Sequence, residues 1–89
     1  MSTGYSSRAS DVRIEPLCAL IAAQLRKPVE QVQPTTRLVE ELEIDSLEMQ
    51  TLVLAIDEVW GVMPEAHHLR QVRTVADLHA TVQALLRGG

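Results

Sequence analysis

Apolar residues recur at helical spacing in three segments of the chain, and this periodicity limits the fold more than any other feature. One apolar stripe falls within residues 12–26, a second within 45–60 and a third within 74–87. The stripes comprise Ile14, Leu17, Cys18, Ile21 and Leu25, then Met49, Leu52, Val53, Ile56 and Trp60, and finally Val75, Leu78, Val82, Leu85 and Leu86. No segment alternates apolar and polar residues over the length of a strand. The pattern therefore predicts an all-α fold.

Residues with strong positional preferences indicate where the helices begin and end. Asp11 or Ser10 is expected to cap the first helix. Gly61, directly after the second stripe, is typical of a helix C-terminus. Thr74 and Asp77 have the spacing of a capping box at the start of the last helix. The three main helices are thus bounded at plausible lengths.

The segments between the stripes complete the expected architecture. Residues 65–70 are predicted to form one short helix, and residues 27–44 a long loop between the first two main helices. Residues 1–10 are Ser-rich and expected to be a disordered tail, which leaves 11–87 as the single domain. The prediction is a small four-helix bundle of three main helices and one short helix. The loop is expected to be pinned to the core by Val29, Val32, Leu38, Leu42 and Ile44.

The charge distribution restricts the possible partners. The 89 residues carry a net charge of −4, but residues 38–69 contain eight acidic residues and no Lys or Arg. The excess of negative charge disfavours nucleic acid as a partner. The acidic segment is either a solvated face or a contact surface for a basic protein. The longest strictly apolar run, Leu52 to Ile56, is far too short to insert into a membrane. A single cysteine excludes an internal disulfide.

The start of the second helix is the candidate functional segment. Asp45 and Glu48 have capping-box spacing, which places Ser46 at the first helical position, beside free backbone N–H groups. A phosphate ester on the Ser46 oxygen would be well placed there, although the same pattern also serves as an ordinary helix start. Neither a nucleophile elbow nor metal-ligand spacing is present, and His67 and His68 are expected to be surface residues. We therefore predict no catalytic residues and no metal site.

Residues 12–87 taken together resemble the acyl carrier proteins. The segment Leu42-Glu43-Ile44-Asp45-Ser46-Leu47 is similar to that family's L-G-x-D-S-L attachment motif. The sequence before it, residues 32–42, resembles the family's approach loop. The segments 55–60, 62–64 and 72–78 resemble the end of its second helix and its later turns.

The resemblance implies a covalent cofactor and a carrier function. Ser46 would carry 4′-phosphopantetheine, transferred from coenzyme A by a phosphopantetheinyl transferase. The thiol of this arm would hold acyl groups as thioesters for enzymes of fatty-acid, polyketide or related acyl biosynthesis, and the carrier itself would catalyse nothing. The implied partners are acyl-loading, ketosynthase-type or acyltransferase enzymes with basic docking surfaces. A cytoplasmic, monomeric protein is expected.

The outward face of the second helix is the predicted recognition surface. Leu47 and Leu54 are seven residues apart and miss the core stripe, so they lie on one line of the helix. They are either half-buried against the long loop or form a small apolar patch rimmed by carboxylates. The candidate motif and recognition residues are Asp45, Leu47, Glu48, Leu54, Asp57 and Glu58.

The chain departs from the family pattern at several positions. Glu43 stands where the family usually has Gly, which raises the question of whether the loop keeps a positive φ there. Gln50 and Thr51 replace residues that are often apolar and acidic, and Trp60 replaces Phe. These departures indicate a specialised carrier. Two alternatives remain open, an unmodified carrier-like interaction module and a peptidyl or aminoacyl carrier.

Overall fold

The computed structural model describes residues 13–88, and it is built from helices. Four α-helices occur in this part of the chain, and a short 3-10 helix, Val29–Gln31, lies between the first two. The α-helices are α1 (Ile14–Leu25), α2 (Ser46–Trp60), α3 (Ala66–Leu69) and α4 (Val75–Leu86). The only β-type pairing within residues 13–88 is one antiparallel bridge between Arg37 and Thr74. The predicted all-α bundle with three main helices and one short helix is confirmed.

Helix α1 ends in a conformation that the sequence did not indicate. Arg26 follows its last turn with φ of 57°, in the left-handed region that usually favours glycine. The Arg26 amide donates to the Ala23 carbonyl at 3.3 Å, and the Lys27 amide donates to the Ala22 carbonyl at 3.0 Å. These two bonds close a Schellman-type turn. At the other end Arg13 occupies the N-cap position without a side-chain bond, and the predicted caps Ser10 and Asp11 lie outside the described residues.

The residues predicted to end α2 and to begin α4 are confirmed in these positions. Gly61 follows α2 with φ of 76° and donates its amide to the Asp57 carbonyl at 2.8 Å. At the start of α4 the Asp77 amide donates to the Thr74 hydroxyl at 3.1 Å. The Thr74 amide donates in return to Asp77 Oδ2, also at 3.1 Å. The reciprocal pair satisfies two amides that the helix itself leaves without partners.

Helix α3 uses a histidine where a capping box usually has a carboxylate. The Glu65 amide donates to Nδ1 of His68 at 2.9 Å. The His67 and His68 rings are in contact, with centroids 4.0 Å apart. Both histidines therefore belong to the local structure of this short helix.

The core is almost wholly aliphatic, as the lack of Phe predicts. The predicted stripes face it, and no residue of the three stripes is fully exposed. The side chains with 2% exposure or less are Leu17, Ile21, Val32, Leu38, Leu52, Ile56, Val75, Leu78 and Val82. No helix within residues 13–88 is long and apolar enough to cross a membrane.

The long loop is anchored as predicted at four of five positions. Val32, Leu38, Leu42 and Ile44 are buried, but Val29 is 46% exposed, so its assignment as an anchor was wrong. Val29 begins the 3-10 helix, which follows Pro28. A single turn of 3-10 helix gives no apolar period long enough to recognise in the sequence, and it directs this valine outward.

The same loop is fastened to the segment that leads into α4. The Leu38 amide donates to the Arg73 carbonyl at 2.9 Å, and the Val75 amide donates to the Thr36 carbonyl at 3.0 Å. The Ala76 amide adds a bond to the Pro34 carbonyl at 2.9 Å. Backbone bonds between segments so distant in sequence hold the loop in one position relative to the bundle.

We expect the α4 cap to make stability depend on pH. The Arg73 and Thr74 amides donate to Asp77 and lower its pKa, assisted by the Thr74 hydroxyl and the Arg73 charge. A lowered pKa in the folded state adds stability above the unfolded value of about 4, and this is lost as the pH falls through the folded value. Asp77→Ala should cost about 1 kcal/mol in unfolding free energy at pH 7.

The measurement is urea unfolding of both proteins between pH 7 and pH 3. The difference between wild type and Asp77→Ala should shrink at the acidic end. Glu58→Ala, which removes an exposed carboxylate with no hydrogen bond among residues 13–88, is the control. A difference that stays constant over this pH range would contradict the assigned role of the Asp77 charge.

Candidate functional site

The capping box at the start of α2 leaves the Ser46 hydroxyl free. The Glu48 amide donates to Asp45 Oδ1 at 2.7 Å, and the Asp45 amide donates to Glu48 Oε1 at 3.1 Å. Ser46 is the first residue of the helix and is exposed. Because the two flanking carboxylates form the cap, the serine oxygen is available for chemistry without loss of the helix start.

The surroundings of Ser46 suit a phosphate group. Within residues 13–88 the backbone amides of Ser46 and Leu47 have no hydrogen-bond partner. These amides lie at the positive end of the α2 dipole, where a phosphate oxygen finds both donors and a favourable potential. The predicted geometry of a phosphate-ready serine is therefore present.

The approach to Ser46 keeps a positive φ at Glu43. Glu43 has φ of 57°, and its amide donates to the Val39 carbonyl at 3.1 Å. The Ile44 amide then donates to the Leu38 carbonyl at 3.1 Å, which closes the turn ahead of α2. The position thus has the conformation that a glycine there would adopt freely. The glutamate holds this conformation at a cost in free energy, because a non-glycine residue disfavours the left-handed region.

We expect Glu43→Gly to stabilise the domain. The left-handed conformation costs a non-glycine residue about 1–2 kcal/mol, which the substitution would relieve. Part of this gain is offset, because glycine raises the conformational entropy of the unfolded chain. The net change should be about 0.5–1 kcal/mol, or roughly 3–6 °C in melting temperature. Thermal unfolding followed by circular dichroism measures it. Glu43→Gln, which keeps the strained φ, should change the melting temperature much less, and equal shifts for both variants would assign the effect to charge.

An apolar groove opens beside the serine between α2 and α3. Its volume is about 710 Å³, which is within the usual range of sites for small molecules. Ser46 and Asp45 lie at its edge, and among residues 13–88 Arg70 is the only other charged residue that lines it. The remaining lining residues are Val39, Ile44, Met49, Gln50, Val53, Leu54, Met63, Pro64, Ala66 and Leu69. A chain attached to Ser46 would therefore find an apolar surface within reach.

The two outward leucines of α2 are exposed, as their positions predict. Leu47 is 71% exposed and Leu54 is 53% exposed, so neither is half-buried against the loop. Glu58 continues their line, because successive residues turn by about 100° around the helix. Asp57 and Glu48 flank this line on opposite sides. Glu48 also accepts the bond that caps the helix, so its carboxylate has a structural role besides any role in recognition.

Among residues 13–88 the remaining reactive side chains do not form a second site. Cys18 is buried in the core, and burial together with the charge of Glu15 raises the pKa of its thiol. A raised pKa keeps the thiol protonated and unreactive. Within the described part of the chain, no group of His, Cys, Asp and Glu residues is arranged to hold a metal ion.

Comparison with known proteins identifies the family of the chain. The chain matches the family described as "Phosphopantetheine attachment site" over residues 15–83. It is 30% identical over 70 residues to the acyl carrier protein of Helicobacter hepaticus, covering 79% of this chain and 92% of that protein. Acyl carrier protein 2 of Ralstonia nicotianae is 36% identical over 56 residues, which cover 63% of this chain and 69% of that protein.

The described helices present an exposed serine at a helix start beside a mainly apolar groove, an arrangement that suits a covalent carrier domain. The match over residues 15–83 and the similarity to known acyl carrier proteins establish the family of this chain. The chain belongs to the acyl carrier protein family and holds acyl groups on a covalently attached 4′-phosphopantetheine. Members of this family carry groups between enzymes and are not themselves catalysts.

Proposed function

We propose that Ser46 is the residue that carries the 4′-phosphopantetheine arm. The observation that supports this most directly is the exposed Ser46 hydroxyl at the first position of α2, beside two amides without partners. A phosphodiester on this oxygen would accept hydrogen bonds from the Ser46 and Leu47 amides. The capping carboxylate of Asp45 is held by the Glu48 amide at 2.7 Å and keeps the helix start in place.

In the attachment reaction the Ser46 hydroxyl is the nucleophile. Its oxygen forms a bond to the phosphorus that bears the pantetheine arm of coenzyme A. The diphosphate bond of coenzyme A breaks, adenosine bisphosphate leaves, and the serine proton passes to a base of the transferase. When bound, the arm supplies a thiol that holds an acyl group as a thioester. The chain itself contributes the nucleophile, the amides and the groove, and it performs no catalytic step.

The attachment site is tested by incubation with coenzyme A and a broad-specificity phosphopantetheinyl transferase. The intact protein should gain the mass of one arm, and fragmentation should place that mass on Ser46. An arm on another residue, or an unchanged mass with several transferases, would refute the proposal.

The groove between α2 and α3 is the proposed seat of the acyl cargo. It begins at Ser46, and buried or half-buried apolar side chains such as Met49, Val53 and Leu69 form its walls. An acyl chain of an attached thioester would exchange water for this apolar surface. The volume is large enough for an acyl chain, and the departures at Glu43, Gln50 and Thr51 support a dedicated pathway within fatty-acid, polyketide or related acyl biosynthesis. The proposed location of this pathway is the cytoplasm.

The unmodified interaction module is less well supported by the geometry. Its main support in the sequence was Glu43, which stands where the family usually has glycine. Glu43 adopts a positive φ, which supports a loop that keeps Ser46 accessible at the start of α2. The substitution affects stability and local charge without displacing the attachment site.

The outward face of α2 is the proposed docking surface for the transferase and for acyl-loading, ketosynthase-type or acyltransferase enzymes. Leu47 and Leu54 supply an exposed apolar line, and Glu58 extends it as a carboxylate. Asp57 and Glu48 add charge on the two sides. Such a surface suits a partner that is partly apolar and basic.

We expect charged and apolar residues of this surface to affect transfer to Ser46 in different ways. Glu58→Lys should slow the transferase several-fold at low salt, and the difference should shrink as salt rises, because exposed charges mainly steer association. Leu47→Ala should slow transfer by a similar factor at every salt concentration, because apolar contacts mainly set dissociation. Initial rates at two ionic strengths give both results.

The choice of charge-reversal variants depends on the hydrogen bonds of each carboxylate. Glu48→Lys would also remove the acceptor of the Asp45 amide, so Asp57→Lys is the better second reversal. Glu30→Lys, an exposed charge reversal within the 3-10 helix and away from α2, is the matched control for net charge. If Glu58→Lys and Glu30→Lys slow transfer equally, the effect comes from overall charge and α2 is not the docking surface.

A further inference from the structure

The groove beside Ser46 contains one positive charge. Arg70 follows the last residue of α3 and lines the groove together with residues of α2. Within residues 13–88 its guanidinium forms no ion pair and no hydrogen bond. Asp45, the other charged residue of the lining, already accepts the Glu48 amide. Arg70 is exposed, and its guanidinium is therefore a cation available to a ligand in a groove lined mainly by apolar residues.

The opposite wall adds a second polar group. Gln50 of α2 lines the groove, and its side-chain amide has no hydrogen-bond partner within the described residues. A plain alkyl chain gains nothing from a guanidinium or an amide. A carboxylate entering the same groove would find a charge-assisted, bidentate partner in Arg70 and a further donor in Gln50. Arg70 and Gln50 thus favour a cargo with a terminal carboxylate over a plain alkyl cargo.

We propose that the acyl cargo of this carrier ends in a carboxylate, which Arg70 binds inside the groove. The proposal rests on Ser46 as the attachment residue and on the groove as the seat of the cargo. Arg70 is then a residue that determines specificity, because it favours a dicarboxylic half-thioester over an alkanoyl thioester of the same length.

The other anion near the groove is the phosphodiester on Ser46, and it needs Arg70 less. The Ser46 and Leu47 amides and the positive end of α2 already serve that phosphate, at an exposed helix start. A cargo carboxylate has no such donors among the aliphatic lining residues. The structure therefore assigns Arg70 to the cargo, and the experiment must separate the two anions.

The test compares matched arms on the same protein. The transferase loads wild type with glutaryl or pentanoyl arms from the corresponding coenzyme A thioesters, which have five carbons each and differ in the terminal carboxylate. At low salt the melting temperature of the glutaryl form should be about 2–4 °C higher than that of the pentanoyl form, because one partly exposed charge pair adds this much stability. The difference should shrink in 0.5 M salt. Four- and six-carbon pairs repeat the comparison, because the chain length that reaches Arg70 is part of the measurement.

Two arginine variants identify the responsible residue. Arg70→Gln should abolish the glutaryl–pentanoyl difference, and Arg70→Lys should retain part of it, because a lysine keeps the charge without the bidentate geometry. Arg87→Gln, an exposed arginine outside the groove, should leave the difference unchanged. In wild type the Arg70 Nε–H resonance should shift with the glutaryl arm and not with the pentanoyl arm, which is a readout independent of stability.

The outcomes that overturn the proposal are distinct. Equal melting temperatures of the two arm types at all three lengths would remove the carboxylate preference, and a difference that persists in Arg70→Gln would assign it to another residue. If Arg70→Gln destabilises the form with an unloaded arm as much as the glutaryl form, Arg70 serves the phosphodiester instead. Failure to load any arm on Ser46 is a separate result, since it refutes the attachment site and is seen first in the intact mass.

Discussion

Ser46→Ala is expected to abolish attachment of the arm completely while leaving the fold intact. The serine oxygen forms the phosphodiester, so an alanine removes the only atom that makes the bond. The helix start survives, because the Asp45 and Glu48 capping bonds involve neither the serine side chain nor its amide. The unfolding free energy should change by less than about 0.5 kcal/mol. Intact mass after incubation with coenzyme A and transferase gives the first result, and thermal unfolding gives the second.

Thr51→Ala is the matched control for this experiment. Thr51 has a hydroxyl on the same helix, which donates to the Leu47 carbonyl at 3.1 Å. Its loss should leave modification complete. Residual modification of Ser46→Ala by the transferase would show that a second residue accepts the arm, and a large fall in its melting temperature would show that the serine has a structural role.

Aspartate on the core face of α2 is expected to unfold the domain. Leu52 and Ile56 are fully buried, and each contacts the aliphatic cluster that joins the helices. Leu52→Asp or Ile56→Asp removes this packing and buries a carboxylate without a partner, at a cost of several kcal/mol. A domain of this size has roughly 5–10 kcal/mol of stability in total. Circular dichroism should show loss of the cooperative thermal transition or a very large fall in its midpoint.

The same helix provides the control for this prediction. Leu54 is two residues from Leu52 and 53% exposed, so Leu54→Asp should fold with a nearly unchanged melting temperature. Met49→Asp should lie between these extremes, because Met49 is half-buried and borders the groove. Equal melting temperatures for Leu52→Asp, Ile56→Asp and Leu54→Asp would show that the assigned core face is wrong.

The sequence determined the helices and the site serine because local rules govern both. Apolar residues at helical spacing predicted α1, α2 and α4, and capping residues such as Asp45 and Thr74 placed the helix starts to within two residues. The position of Ser46 at the first turn followed from the cap alone. The outward leucines followed from the same period, since residues that miss the core stripe must face elsewhere.

The features that the sequence could not supply depend on distances between elements. The groove exists because α3 lies across from α2, and no local pattern reports that separation. The side chains of Glu43 and Arg26 gave no sign of a positive φ, because residues of both types disfavour the left-handed region. Val29 was misplaced for a related reason, since its exposure is set by a single 3-10 turn rather than by a repeating period.

The backbone bonds between the long loop and the start of α4 determine how the attachment segment opens. The amides of Leu38, Val75 and Ala76 bridge parts of the chain more than thirty residues apart. These amides can exchange their hydrogens with solvent only when the loop separates from α4. This separation uncovers fully buried residues such as Val75. The loop ahead of Ser46 and the last helix therefore form one cooperative opening unit. Hydrogen–deuterium exchange at these three amides would then occur only through the rare events that expose the core, and the loop ahead of Ser46 would be among the slowest-exchanging loops of the protein.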